Sequence, residues 1–273
     1  MRHVIILSLA CTAFLMTSCS DDTTVVTANA VPFLVDQQYY PTEEGTFWRY
    51  RVDTTGVTGP TVRDVSRKTS RMVGTIRIDS LVYAVQVNET VSGVTTTRDT
   101  VYIRKDAQGV HGSSPALRNF SGLGSILPNF PSFPKEYLLI PADISSRSSW
   151  DILRFEYNQI PLIPIRFIVT ASYLGRETIQ TDDRSFRECA KIRVSLDIRL
   201  PNLQNPQDIL NPIVIQEDAD FWFSRPLGLV VGDGAQTIFT LLEGGLPFTP
   251  ARRRVHMEVI GYEIVQPTGR CLF

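Results

Sequence analysis

The sequence predicts an all-β protein, and two observations carry that prediction. Many segments alternate apolar and polar residues with a period of two, and turn residues separate them. No stretch of a dozen residues keeps helical spacing. The chain has 273 residues, of which 43% are hydrophobic, and its formal net charge is −1. This length can bury a large core, and the charge balance does not favour a nucleic-acid partner.

The strands follow one another along the chain. After the turn residues 41–45, Trp48, Tyr50 and Val52 alternate with arginines, which predicts a first half-buried strand. Similar segments follow, and the clearest is KIRVSLDIRL at 191–200, whose alternation predicts a long antiparallel strand with one dry face and one wet face. The stretch LGLVVGDGAQTIFTLLE continues the strand pattern, and its Gly-Asp-Gly at 232–234 predicts a hairpin turn.

Two proline-rich segments, 113–141 and 200–212, predict long loops. A loop as long as the first is usually functional or mobile in a compact domain. It could contact a ligand or a partner, or it could simply cover a sheet edge. Its candidate contact residues are the apolar Leu123, Ile126, Leu127, Phe130 and Phe133.

The N-terminus predicts export. A short basic start is followed by an apolar run, 4–16, which is shorter than the ~20 residues that a membrane-spanning helix needs. The small residues Thr17 and Ser18 then precede Cys19, and this pattern resembles a bacterial lipoprotein signal, although Met16 stands where that family usually has Leu. The resemblance implies cleavage after Ser18 and acylation of Cys19, with palmitate among the chains, whereas a conventional signal peptide is the alternative.

The predicted domain organisation follows from this signal. Residues 1–18 are the signal peptide, 19–38 the lipidated cysteine with a small, Thr-rich tether, 39–267 a single β domain, and 268–273 a C-terminal tail. Removing residues 1–18 takes away Arg2 and no acidic residue, which leaves 26 basic and 28 acidic residues. Ser20-Asp21-Asp22 also resembles an acidic surface-export signal, so either face of the outer membrane is a possible location.

Two cysteines remain once Cys11 is removed with the signal peptide and Cys19 is acylated. Cys189 and Cys271 form a pair in an oxidising compartment, and a disulfide between them would stabilise the fold by ~4 kcal/mol through loop closure. The alternative is a buried free thiol at Cys189 and a frayed tail at Cys271.

Three motifs together resemble a family of uncharacterised envelope lipoproteins from Bacteroidetes-, Chlorobi- and Ignavibacteria-type bacteria. YYPTEEGTFWRY is similar to their FPL-x-x-G-x-x-W-x-Y opening, SFRECAKIRV to an F-x-x-C-x-K-V strand, and ADFWFSRPLGLVVGDG to a W-Y-A-P-G-V-G-L-V hairpin. The resemblance implies a broad curved antiparallel sheet or half-barrel, similar to lipoprotein carriers. It implies that Trp48, Phe186 and Trp222 are sheet or core residues and that Gly228 serves a turn. It brings no catalytic residues.

The sequence shows little sign of catalysis. His111 and His256 are the histidines that follow the signal segment, with His111 expected at a turn and His256 on a solvent face, and no zinc-type spacing or nucleophile or phosphate-loop motif is present. We therefore expect no metal and no cofactor. Acidic residues group at 43–44, at 182–183 and at Glu217, Asp218 and Asp220, and a hydrolase would need the last group to line a cleft.

These observations predict a non-enzymatic lipoprotein anchored in the outer membrane. It would bind a hydrophobic ligand or an envelope component through the concave face of its sheet, with the loop 113–141 as a lid. The first alternative is a structural or assembly lipoprotein with a protein partner, and the second is a surface hydrolase.

Overall fold

The computed structural model describes residues 39–56, 64–118, 134–157, 165–200, 212–245 and 253–265. In these ranges twelve antiparallel strands form one sheet, which confirms the all-β prediction. The strands are β1 Phe47–Gly56, β2 Asp64–Ile78, β3 Leu81–Ser92, β4 Thr95–Asp106, β5 Gly109–Ser113, β6 Tyr137–Pro141, β7 Ser149–Tyr157, β8 Ile165–Gln180, β9 Ser185–Leu200, β10 Ile213–Ser224, β11 Gly228–Ala235 and β12 Arg253–Glu263. Two short helices are α1 Pro115–Arg118 and α2 Gln236–Leu242.

The sheet is barrel-shaped and nearly closed. Its strand order is β6-β5-β4-β3-β2-β1-β12-β11-β10-β9-β8-β7, so the first and last strands of the domain pair with each other. The two edges, β6 and β7, are consecutive in sequence, and Trp150 Nε1 on β7 donates a hydrogen bond to Leu138 O on β6 at 3.2 Å. The predicted curved sheet is therefore confirmed, and it curls further than a half-barrel.

The barrel has two distinct ends. At the base end β1 begins and β12 finishes, with Phe47 opposite Glu263, and at the mouth end Gly56 lies opposite Arg253. The base is closed by the segment before β1, because Tyr39 is 1% exposed and Trp48 Nε1 donates to Leu227 O at 2.5 Å.

About half of the buried apolar core lies on the side of the barrel formed by β7 to β10, and the rest comes from the other strands and α2. The alternation in β9 is confirmed, since Ile192, Val194, Leu196 and Ile198 are all buried and their neighbours alternate outward. The inner faces of β7, β8 and β10 add aromatic side chains such as Phe167. This side of the barrel is thus packed by its own side chains, as protein cores normally are.

The prediction of a hairpin turn at Gly232–Gly234 was wrong, because these residues lie within β11. They are small because other groups approach them closely. A Cβ on Gly232 would lie 2.9 Å from Phe239 Cε1, and one on Gly234 would lie 2.3 Å from Ala219 Cα. Such contacts exclude larger side chains.

The strand predicted across the following residues was also wrong, because Gln236–Leu242 form α2. This helix packs against the inner face of the sheet, with Ile238 and Phe239 buried. The Phe239 ring lies 5.1 Å from the Phe221 ring in a tilted arrangement. Seven residues are too few for helical spacing to stand out from a buried strand.

The two predicted loops are shorter than expected in the described ranges. Within 113–141, Ser113 ends β5, α1 follows, and Tyr137–Pro141 form β6, while 119–133 lie outside the described residues. Leu200 ends β9, and 201–211 also lie outside them. No helix in the described part of the chain is long and apolar enough to cross a membrane.

Candidate functional site

A cavity of about 380 Å³ opens at the mouth end, between α2 and the inner faces of β1 to β4 and β12. Most of its lining side chains carry hydroxyl or charged groups, and a few apolar side chains form its floor. The lining residues are Val52, Thr54, Asp64, Ser66, Lys68, Thr90, Ser92, Thr97, Asp99, Gln236, Phe239, Thr240, Glu243, Gly245, Arg253, Val255 and Met257.

A second, inner cavity of about 70 Å³ adjoins the mouth cavity. The two share Lys68, Phe239, Glu243 and Met257 as lining residues. At 10–15 Å³ for each water, the inner cavity has room for about five waters, or for a group of similar size. Its walls are largely aromatic and apolar, from Tyr40, Trp48, Tyr50, Leu139, Phe221, Phe223, Leu229 and Leu242, with Ser70, Gln86 and Asn88 as polar members.

A partly buried ion pair lies where the two cavities meet. Strand β2 points Ser66, Lys68 and Ser70 inward, and Lys68 is only 6% exposed. Its Nζ lies 2.5 Å from Oε1 of Glu243, which follows α2 directly. Asp99 lies opposite this pair, on β4. Its pKa is raised by partial burial and then by the negative charge of Glu243, while Lys68 opposes the shift. The junction therefore holds one cation between two carboxylates.

A chain of hydrogen bonds ends at a free donor in the inner cavity. The Tyr40 hydroxyl donates to Gln86 Oε1 at 2.9 Å, and Gln86 Nε2 donates to Asn88 Oδ1 at 2.8 Å. These bonds orient the Asn88 amide so that its Nδ2 is the free group. Asn88 is 2% exposed, and this Nδ2 has no hydrogen-bond partner among the described residues. A buried donor without a partner costs ~1–3 kcal/mol, which an acceptor oxygen on a ligand would recover.

The carboxylates considered for a hydrolase do not come together. Glu217 and Asp220 are three residues apart on β10, so they point to opposite faces of the sheet. On the outer face Arg193 Nε lies 2.8 Å from Asp220 Oδ1, and this hydrogen bond lowers the pKa of Asp220. Glu217 Oε2 is buried without a hydrogen-bond partner in the described ranges. Asp218 is exposed between them.

Both histidines contact an aspartate. His111 was expected at a turn, but it is buried in β5, where its Nε2 lies 2.9 Å from Asp106 Oδ1. Burial alone would raise the pKa of Asp106, but hydrogen bonds from Arg104, the Gln108 N–H and His111 outweigh it and lower the pKa to about 2. His256 is partly exposed, as expected, with Nδ1 3.1 Å from Asp233 Oδ2. In the described ranges, no group of three or more His, Cys, Asp or Glu side chains is placed so that it could hold a metal ion.

Several predicted site residues lie outside the described residues. These are Cys19, Cys271, Leu123, Ile126, Leu127, Phe130 and Phe133. Cys189 is buried and forms no disulfide within the described ranges; its thiol lies 3.5 Å from Phe186 O, and burial raises its pKa to about 11. Its pairing with Cys271 stays a prediction.

The residues that carry the three sequence motifs lie in strands of the sheet or beside a turn. Trp48, Phe186 and Trp222 are buried on β1, β9 and β10. Gly228 begins β11 after the turn that follows β10, with a φ of +89°, a value that favours glycine.

Lys68, Asn88 and Glu243 were not predicted as site residues from the sequence. Their signal was present but ambiguous, because β2 and β3 carry polar residues on both faces and either face could have been the wet one. Only the closure of the barrel makes the face with Lys68 and Asn88 an interior.

Comparisons with known proteins give distant likenesses. No protein-family model matches the chain, and no curated protein matches its sequence. Among solved structures, the chain is similar to a candidate lipoprotein from Parabacteroides distasonis, at 12% identity and a TM-score of 0.41, over 82% of this chain and 98% of that one. It is also similar to a candidate exported protein with a YmcC-like fold from Bacteroides fragilis, at 10% identity and a TM-score of 0.36, over the same shares. At these TM-scores neither likeness transfers a function to this chain.

Proposed function

We propose that this protein is a non-enzymatic lipoprotein of the cell envelope, anchored through Cys19, that binds a small ligand inside its barrel-shaped sheet. The observation that carries the proposal is the Asn88 Nδ2 in the inner cavity, which has no hydrogen-bond partner among the described residues and lies near the partly buried Lys68–Glu243 pair. The lipoprotein-type signal ending at Cys19 supports the anchoring and the outer-membrane location.

The cavities favour an amphipathic ligand over a purely hydrophobic one. The inner cavity has room for about five waters, which is too small for a long acyl chain. Its aromatic walls suit a few apolar atoms, and Asn88 offers its amide protons to an acceptor oxygen. The mouth cavity offers hydroxyl and carboxylate groups, which suit a ligand's hydroxyls. An acetamido or other short acyl group on a polar, hydroxyl-bearing body has this chemistry.

Native mass spectrometry of the mature protein, purified from the cells that produce it and followed by organic extraction, tests the proposal. We expect a bound small molecule that is lost in Ser70→Leu, because this substitution adds carbon atoms inside the inner cavity. The matched control is Thr96→Leu on the exposed face of β4, next to the lining residue Thr97, and it should keep the ligand. An apo mass for the unsubstituted protein contradicts ligand retention.

Two further variants separate the predicted loop from the cavity. If the loop 113–141 forms a lid, Leu127→Asp and Phe130→Asp should also release the ligand. If the protein is instead an assembly component, these variants should lose an envelope partner in a pull-down experiment while the mass stays that of the apo protein.

A further inference from the structure

The hairpin formed by β2 and β3 projects beyond its neighbours. Pairing of β2 with β1 ends at Arg71, and pairing of β3 with β4 begins at Ala84. Between these positions Ile76–Tyr83 pair only within the hairpin. Four large apolar side chains are exposed there, namely Val73, Ile76, Leu81 and Val82, at 39–51%. We call this surface the base hairpin.

The base hairpin lies at the end of the barrel where the chain enters. The Met72 N–H donates to Thr46 O at 2.8 Å, immediately before β1 begins. A Cβ on Gly74 would lie 3.7 Å from a carboxylate oxygen of Glu44. The segment that starts at Tyr39 therefore packs beside the hairpin.

Exposed apolar residues are present at both ends of the barrel. Val65, Val91 and Val94 are also exposed, and they lie at the mouth end. The point where the chain enters the barrel favours the base end. The 19 residues 20–38 that follow Cys19 lead to Tyr39, which is buried at the base beside the start of β1. The base hairpin is therefore the exposed apolar surface that lies nearest along the chain to the predicted anchor.

The base hairpin carries exposed cations, and an exposed carboxylate lies beside it. Arg71 and Arg77 are exposed on β2, and the exposed Glu44 lies beside Gly74. The carboxylate at the hairpin turn, Asp79, is paired with Arg118 and lies 3.6 Å from Lys135 Nζ. A neutralised carboxylate does not repel anionic headgroups, and arginines beside apolar side chains are typical of membrane-surface contacts.

We propose that the base hairpin docks on the bilayer that holds the acyl chains of Cys19, so that the mouth cavity opens away from the membrane. The inference rests on the proposed anchoring at Cys19 and does not depend on the identity of the ligand. Apolar side chains at the tip enter the headgroup region, and the two exposed arginines contact lipid phosphates.

Fluorescence quenching tests this orientation. The lipidated protein is reconstituted in vesicles of phosphatidylcholine and phosphatidylglycerol, with and without bromine on the acyl chains, after substitution Leu81→Trp. The matched control is Val94→Trp in the exposed turn between β3 and β4 at the mouth end. The emission of the unsubstituted protein, with its native tryptophans, is subtracted from both.

We expect brominated lipid to quench the emission added by Leu81→Trp and to leave that added by Val94→Trp unchanged. Flotation with vesicles and the mass of the mature protein test the anchoring separately. A protein that does not float overturns the anchoring and the docking with it. A protein that floats while Leu81→Trp is not quenched, or while both variants are quenched equally, overturns the docking alone and leaves the base hairpin to a protein partner.

Discussion

The substitution Lys68→Met removes the cation from the junction of the two cavities while keeping a side chain of similar length. Removing one partner of a fully buried ion pair costs ~3–5 kcal/mol, because the other charge is left buried. The Lys68 side chain is 7% exposed, but that of Glu243 is 27% exposed and can be partly rehydrated from the mouth cavity. We therefore expect a loss of about 2–3 kcal/mol in the free energy of unfolding. Replacing both partners with methionine should cost less than Lys68→Met alone, since the Glu243 carboxylate is no longer left without its cation.

Urea unfolding at pH 7 measures this effect, and the midpoint should fall by about 1 M at an unchanged slope. The matched control is Arg98→Met, which breaks the Arg98–Glu89 pair at 2.7 Å on the outer surface, with side chains 73% and 38% exposed. Exposed pairs contribute at most about 1 kcal/mol. Equal losses for Lys68→Met and Arg98→Met would refute the reasoning, because they would mean that Lys68 is effectively solvated.

Three other substitutions follow from the structure. Asp106→Asn should lower the free energy of unfolding by about 1–2 kcal/mol at pH 7. Because the folded Asp106 carboxyl has a pKa of about 2, its stabilising effect is present above the ordinary pKa of 3.8 and is lost as the pH falls towards 2. The melting curves of the two proteins should therefore converge in acid. Asp99→Asn should instead raise the free energy of unfolding, by under about 1 kcal/mol at pH 7, because the raised pKa of Asp99 means that the fold favours the neutral carboxyl. This gain should disappear below pH 3.8, and a loss of stability at pH 7 would contradict the expectation. Gly232→Val should destabilise the protein by about 1–3 kcal/mol in thermal unfolding, since the new Cβ would lie 2.9 Å from the Phe239 ring. The control Gly56→Val should be nearly neutral, because a Cβ there has no heavy atom within 4 Å.

The strands were predictable wherever one face is dry. In β9 the alternation is unbroken, and each predicted inward residue from Ile192 to Ile198 is buried. The helix α2 was not predictable, because a short, almost entirely apolar segment reads equally well as a buried strand. Its location explains the glycines of β11, which look like a turn in sequence but make room for Phe239.

The candidate site was hidden for a related reason. A polar side chain facing the interior of a barrel has the same period as one facing water, so Lys68 and Asn88 look like surface residues of an ordinary strand. Glu243 comes from beyond α2, 175 positions away from Lys68. Local patterns contain no information on a contact that depends on which strands close the barrel.

In the proposed function, the Asn88 amide donates to an acceptor oxygen of a ligand in the inner cavity. Nuclear magnetic resonance of the ¹⁵N-labelled protein can observe this amide, with its signal assigned by its loss in Asn88→Asp. N-Acetylglucosamine provides an acetamido group on a hydroxyl-bearing body, and glucose provides the same body without it. We expect N-acetylglucosamine to shift the Asn88 side-chain signal and to protect its protons from exchange, while glucose at the same concentration does neither. An unchanged signal with both sugars, or equal shifts with both, would mean that Asn88 does not donate to the acetamido oxygen.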